Sequence, residues 1–154
     1  MKKTILVWAV LFSMTLCILA GCAKTGTDAS LESILEEIES AVPMNDTFRM
    51  SEEDLLDLYG IRAEDIAEQA SLTSMNGIFP DEIIMIRAQD QAALSRVREK
   101  LENRLSEVLN QSKSYDAESY AIAQKCHVDV RGLYAALFVS AKHEQMSEIY
   151  GAHF

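Results

Sequence analysis

Positive charge is scarce in this 154-residue chain, where 14 Lys and Arg stand against 24 Asp and Glu for a net charge of −10. Phosphate backbones are bound by cationic surfaces, so a nucleic-acid partner is excluded. Glycine numbers six, and no glycine-rich phosphate loop is present. Serines such as Ser71 and Ser74 fall in no nucleophile-elbow motif. There is no internal repeat. Cysteine is limited to Cys17, Cys22 and Cys126, and only one long apolar run occurs, from Ile5 to Ala20.

That run has the three-part plan of an export signal: cationic Lys2 and Lys3, about sixteen apolar residues broken by Ser13 and Thr15, then a small-residue exit. It is shorter than the roughly twenty residues that span a bilayer as a permanent helix. Leu19-Ala20-Gly21-Cys22 closes it and resembles the lipobox of bacterial lipoproteins. The resemblance implies a diacylglyceryl thioether on Cys22 and cleavage after Gly21. The expected organisation is then residues 1–21 as signal peptide, 22–30 as lipidated N-terminus and tether, and 31–154 as one domain. Each buried methylene contributes roughly 0.8 kcal/mol and stable anchoring takes two chains, so a diacyl group needs no protein helix beside it.

Removing Lys2 and Lys3 without any acid leaves 12 Lys and Arg against 24 Asp and Glu, a net charge of −12. Such a domain is repelled by anionic lipid, which attracts basic segments, so the lipid on Cys22 is the expected membrane contact. Cys17 leaves with the signal and Cys22 is acylated. Cys126 is then alone and no intramolecular disulfide can form. The 132 residues after Cys22 suffice for a core without one.

Ala23 to Ser30 contains no large apolar side chain and reads as a flexible tether. Leu31, Ile34, Leu35, Ile38 and Val42 recur at helical spacing until Pro43. Ser51 followed by Glu52, Glu53 and Asp54 predicts an N-cap with acids in the first turn, and Gly60 predicts the stop. A hairpin is expected from 70–76 and 82–88, turning through Asn76-Gly77 and Pro80-Asp81. Asp90 should cap the longest helix, whose buried stripe is Leu94, Val97, Leu101, Leu105 and Val108. Ser112 to Tyr115 reads as a polar loop and Asp116 as the start of a short helix. A second hairpin is expected to begin at Cys126, turn at Gly132 and return as an apolar strand, with a last helix from about Lys142 to Tyr150. The fold class is therefore α+β: two hairpins forming a four-stranded antiparallel sheet, packed by helices on one face.

Tyr59-Gly60-Ile61, the strand from Pro80 to Ala88, the long helix after Asp90, Tyr115 and the turn Gly132-Leu133-Tyr134 together resemble a family of bacterial lipoproteins classed as domain of unknown function 4358. The likeness covers roughly Ile34 to Tyr150. It implies the fold and the anchoring and transfers no catalytic residue.

The residues able to carry chemistry are few. On a strand, Cys126 shares a face with Val128 and Val130 while His127 points away, so a thiol-imidazole dyad is not expected and Cys126 reads as core. His127 and Asp129 would share the opposite face with Arg131, roughly 6 to 7 Å apart, suited to one ion or to a surface pair. No further ligand lies nearby, so neither metal nor cofactor is expected. His143 and His153 read as solvent-exposed. The favoured function is a noncatalytic lipoprotein module on the extracytoplasmic side of the cell membrane, presenting a sheet face or loop to a protein, a peptide or the cell wall. The alternatives are an extracytoplasmic hydrolase or transferase with dispersed residues, and a small-ligand-binding lipoprotein. A pocket onto which His127, Asp129 or Arg131 converge would favour either alternative.

Overall fold

A computed structural model describes residues 30–75, 79 and 81–154. The lipobox, the tether up to residue 29 and most of the Asn76 to Pro80 turn lie outside the described residues.

Each helix begins where a side chain can satisfy its free amides. The Ser30 hydroxyl accepts from the Ser33 N–H to open α1 (Leu31–Ala41). At α2 (Glu52–Tyr59), Ser51 and Asp54 form a reciprocal capping box, and Gly60 closes the helix at φ 67°, a left-handed conformation that glycine adopts without cost. Asp90 accepts from the Ala93 N–H at the start of α3 (Gln91–Tyr115), and Asp116 accepts from Ser119 at α4 (Ala117–Ala123). The C-terminal helix is α5 (His143–Gly151).

Five strands form one sheet: β1 (Thr47–Arg49), β2 (Ile66–Ser74), β3 (Glu82–Ala88), β4 (Val128–Arg131) and β5 (Tyr134–Val139). Their order is β1-β2-β3-β5-β4, and every neighbouring pair is antiparallel. The β4–β5 hairpin turns through Gly132 and Leu133, with Gly132 at φ 60° supplying the positive φ required at the first turn position.

The α+β class and both hairpins agree with the sequence pattern, but the four-strand count does not. Three-residue β1 is the additional strand, too short to show alternation, and it pairs Thr47, Phe48 and Arg49 with Ser74, Thr73 and Leu72. Nor are the helices confined to one face. Along β3, Ile84 and Ile86 join Val97 and Leu101 of α3 and Leu55 of α2 in one core. Ile83 and Met85 point the other way, into a second core with Leu31, Ile34, Leu35 and Ile38 of α1 and Met146 and Tyr150 of α5. An uninterrupted apolar strand such as Ile83-Ile84-Met85-Ile86 is what a strand covered on both faces requires.

Two local readings also change. Ser112 to Tyr115 continues α3, because the buried Ser112 hydroxyl donates back to the Val108 carbonyl and Ser114 does the same to Asn110, which lets polar side chains remain in a helix. Cys126 precedes β4 instead of opening it. Its N–H donates to the Ala123 carbonyl and its thiol sits 3.5 Å from the Ile122 carbonyl, so it belongs to the end of α4. Among the described residues no helix is long and apolar enough to cross a membrane.

Candidate functional site

Of the residues singled out near β4, Asp129 and Arg131 meet and His127 does not join them. The Asp129 carboxylate is gripped by Arg131, whose Nε and Nη2 donate at 3.0–3.1 Å. Arg131 Nη1 donates onward to the Gly151 carbonyl, and the guanidinium lies over the Tyr150 ring. A Cβ at Gly151 would stand 2.9 Å from Arg131 Nη2, so glycine at the end of α5 makes room for the guanidinium. His127 stands apart with an exposed ring, its Nδ1 3.4 Å from the Lys125 carbonyl. Asp129 and Arg131 thus fasten β4 to α5 and leave His127 out. Among the described residues no group of three or more His, Cys, Asp or Glu side chains could hold a metal ion.

Cys126 is buried at 7% exposure, and burial pushes its thiol pKa up. Since the thiolate is the reactive form, native Cys126 should react slowly with a thiol reagent at neutral pH and rapidly once denaturant is added. Fast native labelling, followed by absorbance of the released reporter, would contradict the packing.

His143 corrects the sequence reading, being buried at 6% exposure rather than solvent-exposed. It shares the inner stripe of α5 with Met146 and Tyr150. Burial lowers its pKa; Glu144 opposes the shift, and His127 and Lys125 add to it. A lowered pKa means that the unfolded chain takes up the proton first, so stability is full above about pH 6.5 and falls as acid is added. His143→Gln should flatten the decline of the urea midpoint between pH 7 and 5. Parallel curves for the two proteins would remove this assignment. His153 is also less free than expected, with Nε2 2.9 Å from a Glu37 carboxylate oxygen on α1.

A denser polar arrangement lies between α2 and α3. Glu82 at the start of β3 is 1% exposed and meets Arg104 of α3 through a fork, Nε at 3.1 and 3.2 Å and Nη2 at 2.8 Å. The Arg104 guanidinium also lies 5.6 Å from the Tyr59 ring centre. Burial, reinforced by the Glu82 charge, pushes the Tyr59 pKa up, so this phenol stays protonated. One turn of chain after α2, Asp65 is 3% exposed and accepts from Arg96 Nε and Nη2, which hold its carboxyl below the usual carboxylate range. Two clefts open along this groove: one of about 300 Å³ at Gly60, Arg62, Asp65 and Arg96, the other of about 190 Å³ at Tyr59, Asn103 and Arg104. Lys100 lines both.

In the sequence, Arg96 and Lys100 fall among the charged residues that flank the apolar stripe of α3 and resemble a solvated helix face. The available signal was Glu82, an acid heading an apolar strand, which a buried register position requires to be paired. Arg104, 22 residues on, is one turn after Leu101 and next to Leu105, beside the core stripe of α3.

The architecture defines a compact α+β class, an antiparallel sheet between two helical layers with a charged groove on one side. Residues 40–140 match the family model described as "Domain of unknown function (DUF4358)", well over half of the chain, and the protein belongs to that family. No curated protein and no solved structure matches it.

Proposed function

We propose that the chain is a lipoprotein held on the extracytoplasmic side of the cell membrane by a diacylglyceryl group on Cys22, and that its folded part is a noncatalytic interaction module. The observation that carries the reading is Leu19-Ala20-Gly21-Cys22 at the end of the apolar run from Ile5 to Ala20. Support for the noncatalytic part comes from the way the recessed charges are used. Glu82, Asp65 and Asp129 are each committed to an arginine. A carboxylate forked by a guanidinium has its oxygens already occupied, which suits a rigid scaffold better than a general base that must reach a substrate proton. Since helices cover both sheet faces, the surface on offer to a protein, peptide or cell-wall partner is helical and loop surface rather than a bare sheet.

Metabolic labelling with a fatty acid should tag the wild-type protein, and Cys22→Ser should lose both the label and retention in the membrane fraction. Retention of the serine variant at the wild-type level would make the Ile5 to Ala20 segment the anchor instead.

A further inference from the structure

We propose that the cleft of about 300 Å³ between the end of α2 and the middle of α3 binds a small organic anion, its carboxylate or phosphate group held by Lys100 with Arg62 and Arg96. This goes beyond the anchoring and does not depend on it, because the cleft belongs to the folded domain.

Arg96, Lys100 and Arg104 recur every fourth residue and so run along one side of α3. The outer two are neutralised by buried carboxylates, Arg96 by Asp65 and Arg104 by Glu82. Lys100 stands between them without an ion-pair partner among the described residues, in a chain that carries 24 acids. Its ammonium lies beside the end of α2. Nζ lies 3.6 Å from the point where a Cβ on Gly60 would stand, at the C-terminal end of α2, where the partial negative charge of the helix end favours a cation. A half-buried ammonium that is positioned but unpaired is a preorganised anchor for an anion.

The two guanidinium groups complete the anchor. Arg96 uses Nε and Nη2 on a single Asp65 oxygen, which leaves Nη1 outside that pair, and its side chain is 46% exposed. Arg62 is 55% exposed, meeting Glu64 at 3.1 Å and Asp65 only at 4.0 Å. Planar guanidinium donors match the paired oxygens of a carboxylate or phosphate. Beneath them Ile61 and Val97, each 1% exposed, close the bottom of the cleft as part of the core. The lining carries three cations against Asp65 and Glu99, a local excess of positive charge on an otherwise acidic protein. About 300 Å³ is at the lower end of ligand cavities and sets the size of the occupant.

The test uses the full chain in detergent micelles, labelled with ¹⁵N-glycine and titrated with sodium phosphate or sodium butyrate at ionic strength held constant with sodium chloride. The Gly60 amide should shift and saturate with at least one probe, phosphate alone assigning a phosphoryl ligand and butyrate alone a carboxylate. Lys100→Ala, which favours the helix, should weaken the midpoint at least tenfold. Lys100→Arg should keep it within about threefold, and Lys113→Ala, on the same helix outside the cleft, should leave it unchanged. Failure of both probes to saturate, or an unaltered midpoint in Lys100→Ala, overturns the site.

Discussion

Glu82→Ala should destabilise the domain by about 3–5 kcal/mol, because it leaves the Arg104 guanidinium in a largely buried position without its counter-charge. The pair is desolvated on both sides, with side-chain exposures of 1% for Glu82 and 18% for Arg104. Removing one partner forfeits the fork and retains the cost of burying the other. Replacing both partners with methionine should recover most of the loss, since apolar side chains of similar volume meet no such cost. Urea denaturation of the two variants decides the matter. A loss below about 1 kcal/mol in Glu82→Ala would mean that water reaches Arg104 and that the fork holds little of the fold.

Leu101→Ala should cost about 2–5 kcal/mol. Leu101 is fully buried on α3, in the core that also contains Ile84 and Ile86 of β3 and Leu137 of β5. Truncation there removes transfer energy and leaves a cavity that two rigid elements cannot collapse. Leu105, one turn on, is only partly buried against the same core, so Leu105→Ala should cost clearly less. Equal losses at the two positions would contradict the orientation of α3.

Much of the fold was legible because local chemistry and global packing agree. Ser51 with Asp54, Gly60, Asp90 and Gly132 mark element ends through caps and positive φ values that few other residues provide. The number of layers was hidden, because a continuous apolar strand such as Ile83 to Ile86 shows only that it is buried. Which helix covers which face depends on distant contacts: Ile83 and Met85 meet α1, some fifty residues earlier, while Ile84 and Ile86 meet α3. Strand β1 escaped because three residues cannot display a period. His143 is a different case, since with Met146 and Tyr150 it follows the i, i+3, i+7 spacing of a buried helix stripe.

The candidate site was less legible than the fold. Alternation around β4 placed His127, Asp129 and Arg131 together, whereas the hairpin itself uses Asp129 and Arg131 to grip the end of α5. The groove between α2 and α3 draws on Gly60, Asp65, Glu82 and three positions of α3, brought together only by tertiary packing. In the sequence its cations look like any solvated helix face. Their burial and their carboxylate partners distinguish them.

The proposed anchoring through Cys22 is decided by the intact mass and N-terminal peptide of the protein extracted from its native membrane. Residues 1–21 should be absent, and the chain should start at Cys22 carrying a diacylglyceryl thioether. A chain retaining Met1 with a free thiol at Cys22 would contradict it.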